Sequence, residues 1–138
     1  MTDYDRITEA LNTAKTIAVV GLTDSPLRPS YGVSQYMRSQ GYRIIPVNPN
    51  ITEWEGEKAY GSLLDVPDKI DIVNIFRRSD AVPEIVDQAL EIKAPVIWMQ
   101  EDVIHQQAAE KARQAGVFVV MGVCILKEHR RREAGLRK

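Results

Sequence analysis

The sequence predicts an α/β fold, a Rossmann-like doubly wound sheet of five parallel strands with helices on both faces. Short continuous apolar runs recur along the 138-residue chain, as is typical of strands buried on both faces. Segments with apolar residues at helical spacing separate these runs. This alternation favours parallel pairing through right-handed crossovers. We predict the strand order 3-2-1-4-5, with the flavodoxin-like order 2-1-3-4-5 as the alternative.

The predicted elements follow one another with short connections. In chain order they are a helix over 4–13, a strand over 16–20, a helix from 30 to 40, a strand over 42–45, a helical turn over 62–65, a strand over 71–76, a helix from 79 to 90, a strand over 95–100, a helix from 104 to 115, a strand over 117–121 and a basic C-terminal helix over 126–138. The pattern is weak between residues 51 and 69, where the chain forms a long loop.

Capping residues and prolines set several of these boundaries. Ser30 is expected to cap the second helix, and Ser79 or Asp80 the third, which has Pro83 in its first turn. Pro46 is expected to end the pairing of the second strand because proline has no N–H to donate.

Composition restricts the class of protein. The apolar share of 44%, the charged share of 27% and the net charge of −1 are ordinary for one globular domain, residues 1–138. Such a charge favours neither nucleic acid nor membrane as a partner. The single cysteine excludes an internal disulfide, and no apolar signal region opens the chain. We therefore expect a cytoplasmic protein, a monomer or weak homodimer. One cysteine and two histidines give no metal-site signature.

The loop after the first strand predicts an anion site. It follows Gly21 and leads into a helix start, where free N–H groups and the helix dipole favour negative charge. Thr23, Ser25 and Ser30 add hydroxyl groups, and Arg28 adds a planar cation suited to phosphate. The alternative is a capped loop with a solvated arginine.

The other strand ends modify this prediction. Dinucleotide folds place an acidic residue after the second strand to bind ribose hydroxyls. Here Asn48 stands in that region, which argues against NAD, although a simple turn also explains it. Arg77 and Arg78 follow the third strand, where they either contact a second phosphate or face water.

The last two strands offer less chemistry. Trp98 on the fourth strand is most often a core residue, whereas Gln100 at its end is better placed to touch a ligand. Cys124 follows the fifth strand, and no base can be placed beside it from the sequence, so we interpret it as a structural thiol.

Together these segments resemble the small CoA-binding-domain proteins, which are similar to the N-terminal domain of the succinyl-CoA synthetase α subunit. The matching motifs are VVGLTDSPLRPSY (19–31), GYRIIPVNPN (41–50), GEKAYGSL (56–63), DIVNIFRRS (71–79), VIWMQ (96–100) and VVMGVC (119–124). The resemblance implies a coenzyme A or acyl-CoA ligand. It implies that phosphates are held by Gly21, Thr23, Pro26, Arg28 and Ser30, that adenosine is flanked by Val47, Asn48 and Pro49, and that the cleft is lined by Phe76, Arg77, Arg78, Trp98 and Gln100.

The chain departs from the family pattern at Glu101–Asp102 and at Gly122, where acidic residues and a glycine replace the usual ones. The first functional hypothesis is a non-catalytic module that binds CoA or acyl-CoA. The second is a subunit or remnant of an acyl-CoA synthetase, because that chemistry in the family needs a phosphorylated histidine in a further domain, which a partner chain would supply. A weaker third hypothesis is an NAD-type nucleotide sensor.

Overall fold

The computed structural model describes residues 1–136 as seven strands and five α-helices. The strands are β1 (Thr16–Val20), β2 (Arg43–Val47), β3 (Glu53–Trp54), β4 (Glu57–Lys58), β5 (Ile72–Ile75), β6 (Val96–Met99) and β7 (Phe118–Met121). The helices are α1 (Asp3–Thr13), α2 (Pro29–Ser39), α3 (Val82–Glu91), α4 (Gln106–Gln114) and α5 (Ile125–Arg131), and short 3-10 turns lie at Leu63–Asp65, Ser79–Ala81 and Glu133–Gly135.

The five long strands form one parallel sheet in the order β2-β1-β5-β6-β7. The five-stranded parallel α/β fold is therefore confirmed, but the preferred order 3-2-1-4-5 is wrong, and the flavodoxin-like alternative is the one observed. The reason lies on the outer side of β2. There Tyr60 donates its N–H to Pro46 O at 3.0 Å and accepts the N–H of Asn48 at 2.8 Å. This segment covers the outer side of β2, so β5 pairs with the free side of β1.

Pro46 lies inside β2, so the expectation that pairing ends at this residue is also wrong. The register pairs Val19 with Pro46 and Val20 with Val47. Val47 O accepts the N–H of Gly21 on the β1 side, whereas Pro46 O accepts from Tyr60 on the opposite side. Because N–H and C=O of one strand residue point to the same side, the missing N–H of Pro46 removes no bond to β1.

Several predicted helix starts lie one to three residues from the observed ones. Arg28 precedes α2 and Pro29 is its first residue, so Ser30 does not cap this helix. Residues 79–81 form a 3-10 turn before α3, and the Ser79 hydroxyl instead accepts the N–H of Ile104 at 3.0 Å. The helical turn expected near residues 62–65 is confirmed, and Ser62 caps it.

The C-terminal helix is shorter than predicted. Helix α5 covers Ile125–Arg131 and a 3-10 turn follows, whereas the prediction extended the helix over 126–138. The part of that prediction at residues 137 and 138 lies outside the described residues.

Helices cover both faces of the sheet. One core contains Val73 and Ile97 with Val86 of α3 and Ala109 of α4. The other contains Val19 and Trp98 with Leu11 of α1, Met37 of α2 and Ile125 of α5. Two buried faces explain the continuous apolar strands. No helix within residues 1–136 has both the length and the apolar character that crossing a bilayer requires.

Candidate functional site

The carboxyl ends of β1, β2 and β5 meet at Gly21. Its N–H donates to Val47 O at 2.9 Å, and its φ of +93° is one that favours glycine. A Cβ atom at this position would overlap the carbonyl oxygen of Phe76. Glycine is therefore required where the end of β1 passes the end of β5.

Arg77 lies across the same point. A Cβ on Gly21 would be 2.9 Å from Cδ of Arg77, so the aliphatic part of this side chain crosses the end of β1. Within residues 1–136, neither Arg77 nor Arg28 has an ion-pair partner, and both are exposed. Arg78 is different, because it faces Asp80 at 3.5 Å. The end of β1 and the start of α2 thus carry two cations, Arg77 and Arg28, whose charge is available to an anionic ligand.

The loop between β1 and α2 is shaped by side-chain contacts. The buried Ser30 hydroxyl accepts the N–H of Thr23 at 3.3 Å, and Asn48 donates its amide N–H to Leu22 O at 3.0 Å. Ser30 and Asn48 therefore hold the loop. The Thr23 hydroxyl oxygen is buried with no hydrogen-bond partner among the described residues, which leaves it available to a group that enters from the loop side.

The start of α2 is suited to an anion. This 11-residue helix has no acidic residue in its first turn and no side-chain cap. Pro29 has no N–H and the Tyr31 N–H donates to Arg28 O at 3.1 Å, so the Ser30 N–H is the group that remains available at this helix start. Pro26 is exposed on this loop. The helix start and the two arginines favour negative charge, whereas the exposed Asp24 on the loop opposes it.

A cavity of about 240 Å³ adjoins these strand ends on the α3 side of the sheet. It is lined by Val20, Val47, Pro49, Gly61, Ser62, Arg77, Ala81, Glu84, Ile85 and Gln88. The structure thus brings together the predicted residues Val47, Pro49 and Arg77. Sequence reasoning missed Glu84 and Gln88 on α3. Their i, i+4 spacing in a helix that begins at the carboxyl edge is the signal that could have found them.

Trp98 and Gln100 do not line this cavity, because their side chains lie in the interior. The Trp98 indole N–H donates to Val123 O at 2.9 Å. Gln100 Oε1 accepts the N–H of Ile125 at 3.0 Å. Both side chains therefore stabilise the connection between β7 and α5. The strand pattern alone does not predict these hydrogen bonds. Phe76 is half-buried and packs against the core on the α2 side.

The two departures from the family pattern have local explanations. Glu101 pairs with Lys127 at 2.9 Å, and this hydrogen bond raises the pKa of the Lys127 ammonium. The Glu101 charge is therefore balanced. Gly122 has a φ of +79°, and a Cβ there would lie 2.7 Å from Cδ1 of Ile104. The turn after β7 therefore favours glycine.

The β3–β4 turn is fastened to α2 by Glu55, whose φ is +45°. Its carboxylate accepts from Gln35 Nε2 at 2.6 Å and pairs with Arg38. A further hydrogen bond from Tyr31, in the first turn of α2, lowers the pKa of Glu55 and raises the pKa of the Tyr31 hydroxyl. The turn thus supports the helix whose start faces the candidate site.

The Cys124 thiol and the two histidines lie in separate environments. Cys124 is buried at the residue before α5. The buried His129 ring shares a hydrogen bond of 2.7 Å with the Tyr36 hydroxyl, and the His105 ring accepts from its own helix. Across residues 1–136 no group of His, Cys, Asp and Glu is arranged to hold a metal ion.

The family model of the CoA binding domain matches residues 15–130, which span β1 to α5 and contain every element of the site. The chain belongs to the CoA binding domain family. YneT of Bacillus subtilis (strain 168) is 46% identical over 123 residues, which are 89% of this chain and 91% of YneT. A hypothetical protein from Pyrococcus horikoshii OT3, a solved structure, has a TM-score of 0.91 and 38% identity, over 94% of this chain and 92% of that one.

A ligase subunit is also similar to this CoA binding domain. The Pyrococcus furiosus acetate–CoA ligase (ADP-forming) I subunit alpha is 27% identical over 128 residues, which are 81% of this chain. This chain spans 28% of that subunit, so the similarity concerns one part of a longer protein.

Proposed function

We propose that this protein binds coenzyme A or an acyl-CoA as a non-catalytic nucleotide-binding module. The observation that carries the proposal is the Arg77 side chain across the end of β1, together with Arg28 at the start of α2. Within residues 1–136 neither arginine has an ion-pair partner. Membership of the CoA binding domain family supports the choice of ligand. Phosphates of the ligand would lie against the two arginines, the Thr23 hydroxyl and the start of α2, where charge and free N–H groups favour them.

The second strand end supports CoA over NAD. Asn48, which follows β2, donates to the Leu22 carbonyl and brings no negative charge toward a ribose phosphate. An acidic residue there would favour the free ribose hydroxyls of NAD. The proposal that the protein is not an enzyme rests on the buried Cys124 and on the separate engagement of both histidines.

Calorimetric titration with CoA, dephospho-CoA, NAD and ATP tests the proposal. We expect CoA to bind most tightly, because it alone combines a diphosphate with a phosphate on the ribose. Equal or tighter binding of NAD would contradict the proposal, as would the absence of heat with CoA at millimolar concentration.

A second candidate is a subunit that acts with a partner chain in acyl-CoA synthesis. The similarity to one part of the P. furiosus acetate–CoA ligase subunit favours it. The test is formation or cleavage of a CoA thioester by the purified protein mixed with an acetate–CoA ligase from which its own matching domain has been removed, with the purified protein alone as the control. Turnover would favour an enzyme, and turnover lost in Cys124→Ser would give the thiol a role that the binding proposal does not include.

A further inference from the structure

Strand β7 is the last strand of the parallel sheet, and no other described strand pairs with its outer side. The Phe118 N–H donates to Pro95 O at 3.1 Å, so Phe118 faces β6. Because the N–H and C=O groups of alternate strand residues point to opposite sides, those of Val119 and Met121 point outward. Within residues 1–136 these outward groups make no hydrogen bond. The edge therefore offers two donors and two acceptors at the spacing of a strand.

Two adjoining cavities, of about 300 Å³ and about 270 Å³, lie along this edge. Together they are lined by the chain from Gly116 to Met121, by the first turns of α1 and by Arg113 of α4. Strand β7 contains neither a proline nor a charged residue, the features that commonly prevent pairing at an exposed edge. The surface is thus a groove one strand long with an open backbone on its floor.

Charged side chains border the groove, and positive charge is in excess among them. They are the guanidinium groups of Arg6, Arg113 and Arg131 and the carboxylates of Asp3 and Glu128. Glu128 is shared by Arg131 and by the buried Arg132, each at 3.0 Å. Within residues 1–136 neither Arg6 nor Arg113 has an ion-pair partner. The groove therefore favours a negatively charged occupant.

We infer that the outer edge of β7 is a docking site for an extended acidic segment of another protein. Such a segment adds a sixth strand to the sheet, with main-chain hydrogen bonds to Val119 and Met121 and carboxylates near the arginines. A second copy of this chain would bring the same excess of positive charge, and like charges oppose pairing across strands. The site is separate from the CoA proposal, because β7 and β1 are at different places in the sheet, with β5 and β6 between them.

The first experiment uses a short fluorescent peptide of alternating aspartate and valine, since valine favours the strand conformation. Fluorescence anisotropy measures its affinity for the whole protein. Two matched peptides are compared with it: one has lysine in place of aspartate, and the other keeps the aspartates but has an N-methylated backbone, which cannot donate. We expect only the first peptide to bind below about 1 mM. Equal binding of either matched peptide overturns the inference, as does the absence of binding by all three.

The second experiment changes the backbone of the edge. Met121→Pro removes the outward N–H at a position where an edge strand tolerates proline, and Met121→Leu is the control that keeps it. We expect Met121→Pro to weaken binding of the acidic peptide by about tenfold, as for one lost hydrogen bond, and Met121→Leu to leave it unchanged. Equal affinities overturn the inference. Unfolding midpoints show whether the proline variant folds, and the N-methylated peptide tests the same bond if it does not.

The third experiment changes the charge of the groove. Arg113→Ala should weaken binding of the acidic peptide by about two- to fivefold, as for an exposed ion pair. Lys111→Ala is the control, because it removes the same charge from α4 on the side that pairs with Asp87 of α3. Equal effects of the two substitutions overturn the inference.

Sedimentation of the protein alone distinguishes the other occupant. We expect a monomer at every concentration. A dimer that forms with concentration and is lost in Met121→Pro would assign the edge to a second copy and overturn the inference. None of these measurements uses CoA, so the inference and the proposed function fail separately.

Discussion

At the level of single residues, the candidate site is defined by Gly21, by Arg77 beside it and by Arg28 at the start of α2. The glycine lets the ends of β1 and β5 approach each other, and the Arg77 side chain crosses the point of contact. Arg28 extends from the adjoining loop. The backbone geometry of Gly21 and the charge of the two arginines thus contribute separately to the candidate site, and substitutions can test each contribution.

Gly21→Ala should destabilise the protein by at least about 2 kcal/mol, because it combines a strained φ with a backbone clash. Gly41→Ala is the matched control. Its φ is +99°, but a Cβ atom added there would have no neighbour within 4 Å, so it should lose only the strain, about 1–2 kcal/mol. Urea unfolding measures both free energies. Equal losses would show that the Phe76 carbonyl moves aside without a penalty.

Arg28→Ala and Arg77→Ala should each weaken CoA binding by about 10- to 150-fold, the range for a hydrogen bond to a charged group. Stability should hardly change, because both side chains are exposed and unpaired. Arg113→Ala removes the same charge from the exposed end of α4 and serves as the control. Calorimetric titration gives the affinities. An unchanged affinity in either variant would show that the substituted arginine does not contribute to ligand binding.

At the level of elements, the β3–β4 turn and α2 behave as one unit because of Glu55. The Glu55 carboxylate accepts hydrogen bonds from Tyr31 and Gln35 and forms an ion pair with Arg38. These three residues lie along one face of α2. This contact spans residues far apart in sequence, so no local pattern predicts it. It fixes the helix start that faces the loop.

The contribution of Glu55 should depend on pH. Its pKa is lowered in the folded protein, first by the Tyr31 hydrogen bond. The stabilisation is therefore present above the unfolded pKa of about 4.3 and is lost as the pH falls through the lower folded pKa. The difference in unfolding temperature between wild type and Glu55→Gln should be clear at pH 7 and shrink below about pH 4. Glu53→Gln, on the exposed part of β3, should show no such trend.

At the level of the whole molecule, Arg132 joins the two ends of the described chain. Its buried guanidinium bonds to Glu128 Oε1 at 3.0 Å and to the Thr8 hydroxyl at 2.7 Å. It also lies 3.8 Å above the Tyr4 ring. The contact fixes α5 against α1 on one face of the sheet.

Arg132→Ala should cost about 1.5–3 kcal/mol or more, because it removes buried charged hydrogen bonds to Glu128 and Thr8 while Arg131 still balances part of the Glu128 charge. Arg131→Ala is the control. Arg131 also pairs with Glu128, at 3.0 Å, but its side chain is 60% exposed, so its loss should cost less than about 1 kcal/mol. Chemical unfolding measures both, and equal losses would contradict a role for burial.

The main secondary-structure elements and the carboxyl-edge location of the site could be predicted from the sequence, because they depend on local pattern. Apolar runs identified the five long strands, and Gly21, Arg28 and Arg77 were predicted as ligand contacts because functional loops follow strand ends in parallel sheets. The contacts of Trp98 and Gln100 with Val123 and Ile125 could not be predicted, because they are made across the fold. Glu84 and Gln88 were missed because a helix pattern does not show which cavity a polar face meets.

Residue types and their spacing were enough to predict the class of fold and to place a candidate anion site in the loop after β1, and the matching motifs pointed to the family that the family model shows. The strand order depends instead on the folded chain, because the Tyr60 segment covers the outer side of β2 and leaves β1 to pair with β5. The set of side chains that share the cavity depends on the folded chain as well. Hydrogen bonds and charges from distant segments determine that arrangement, and they come together only when the chain has folded.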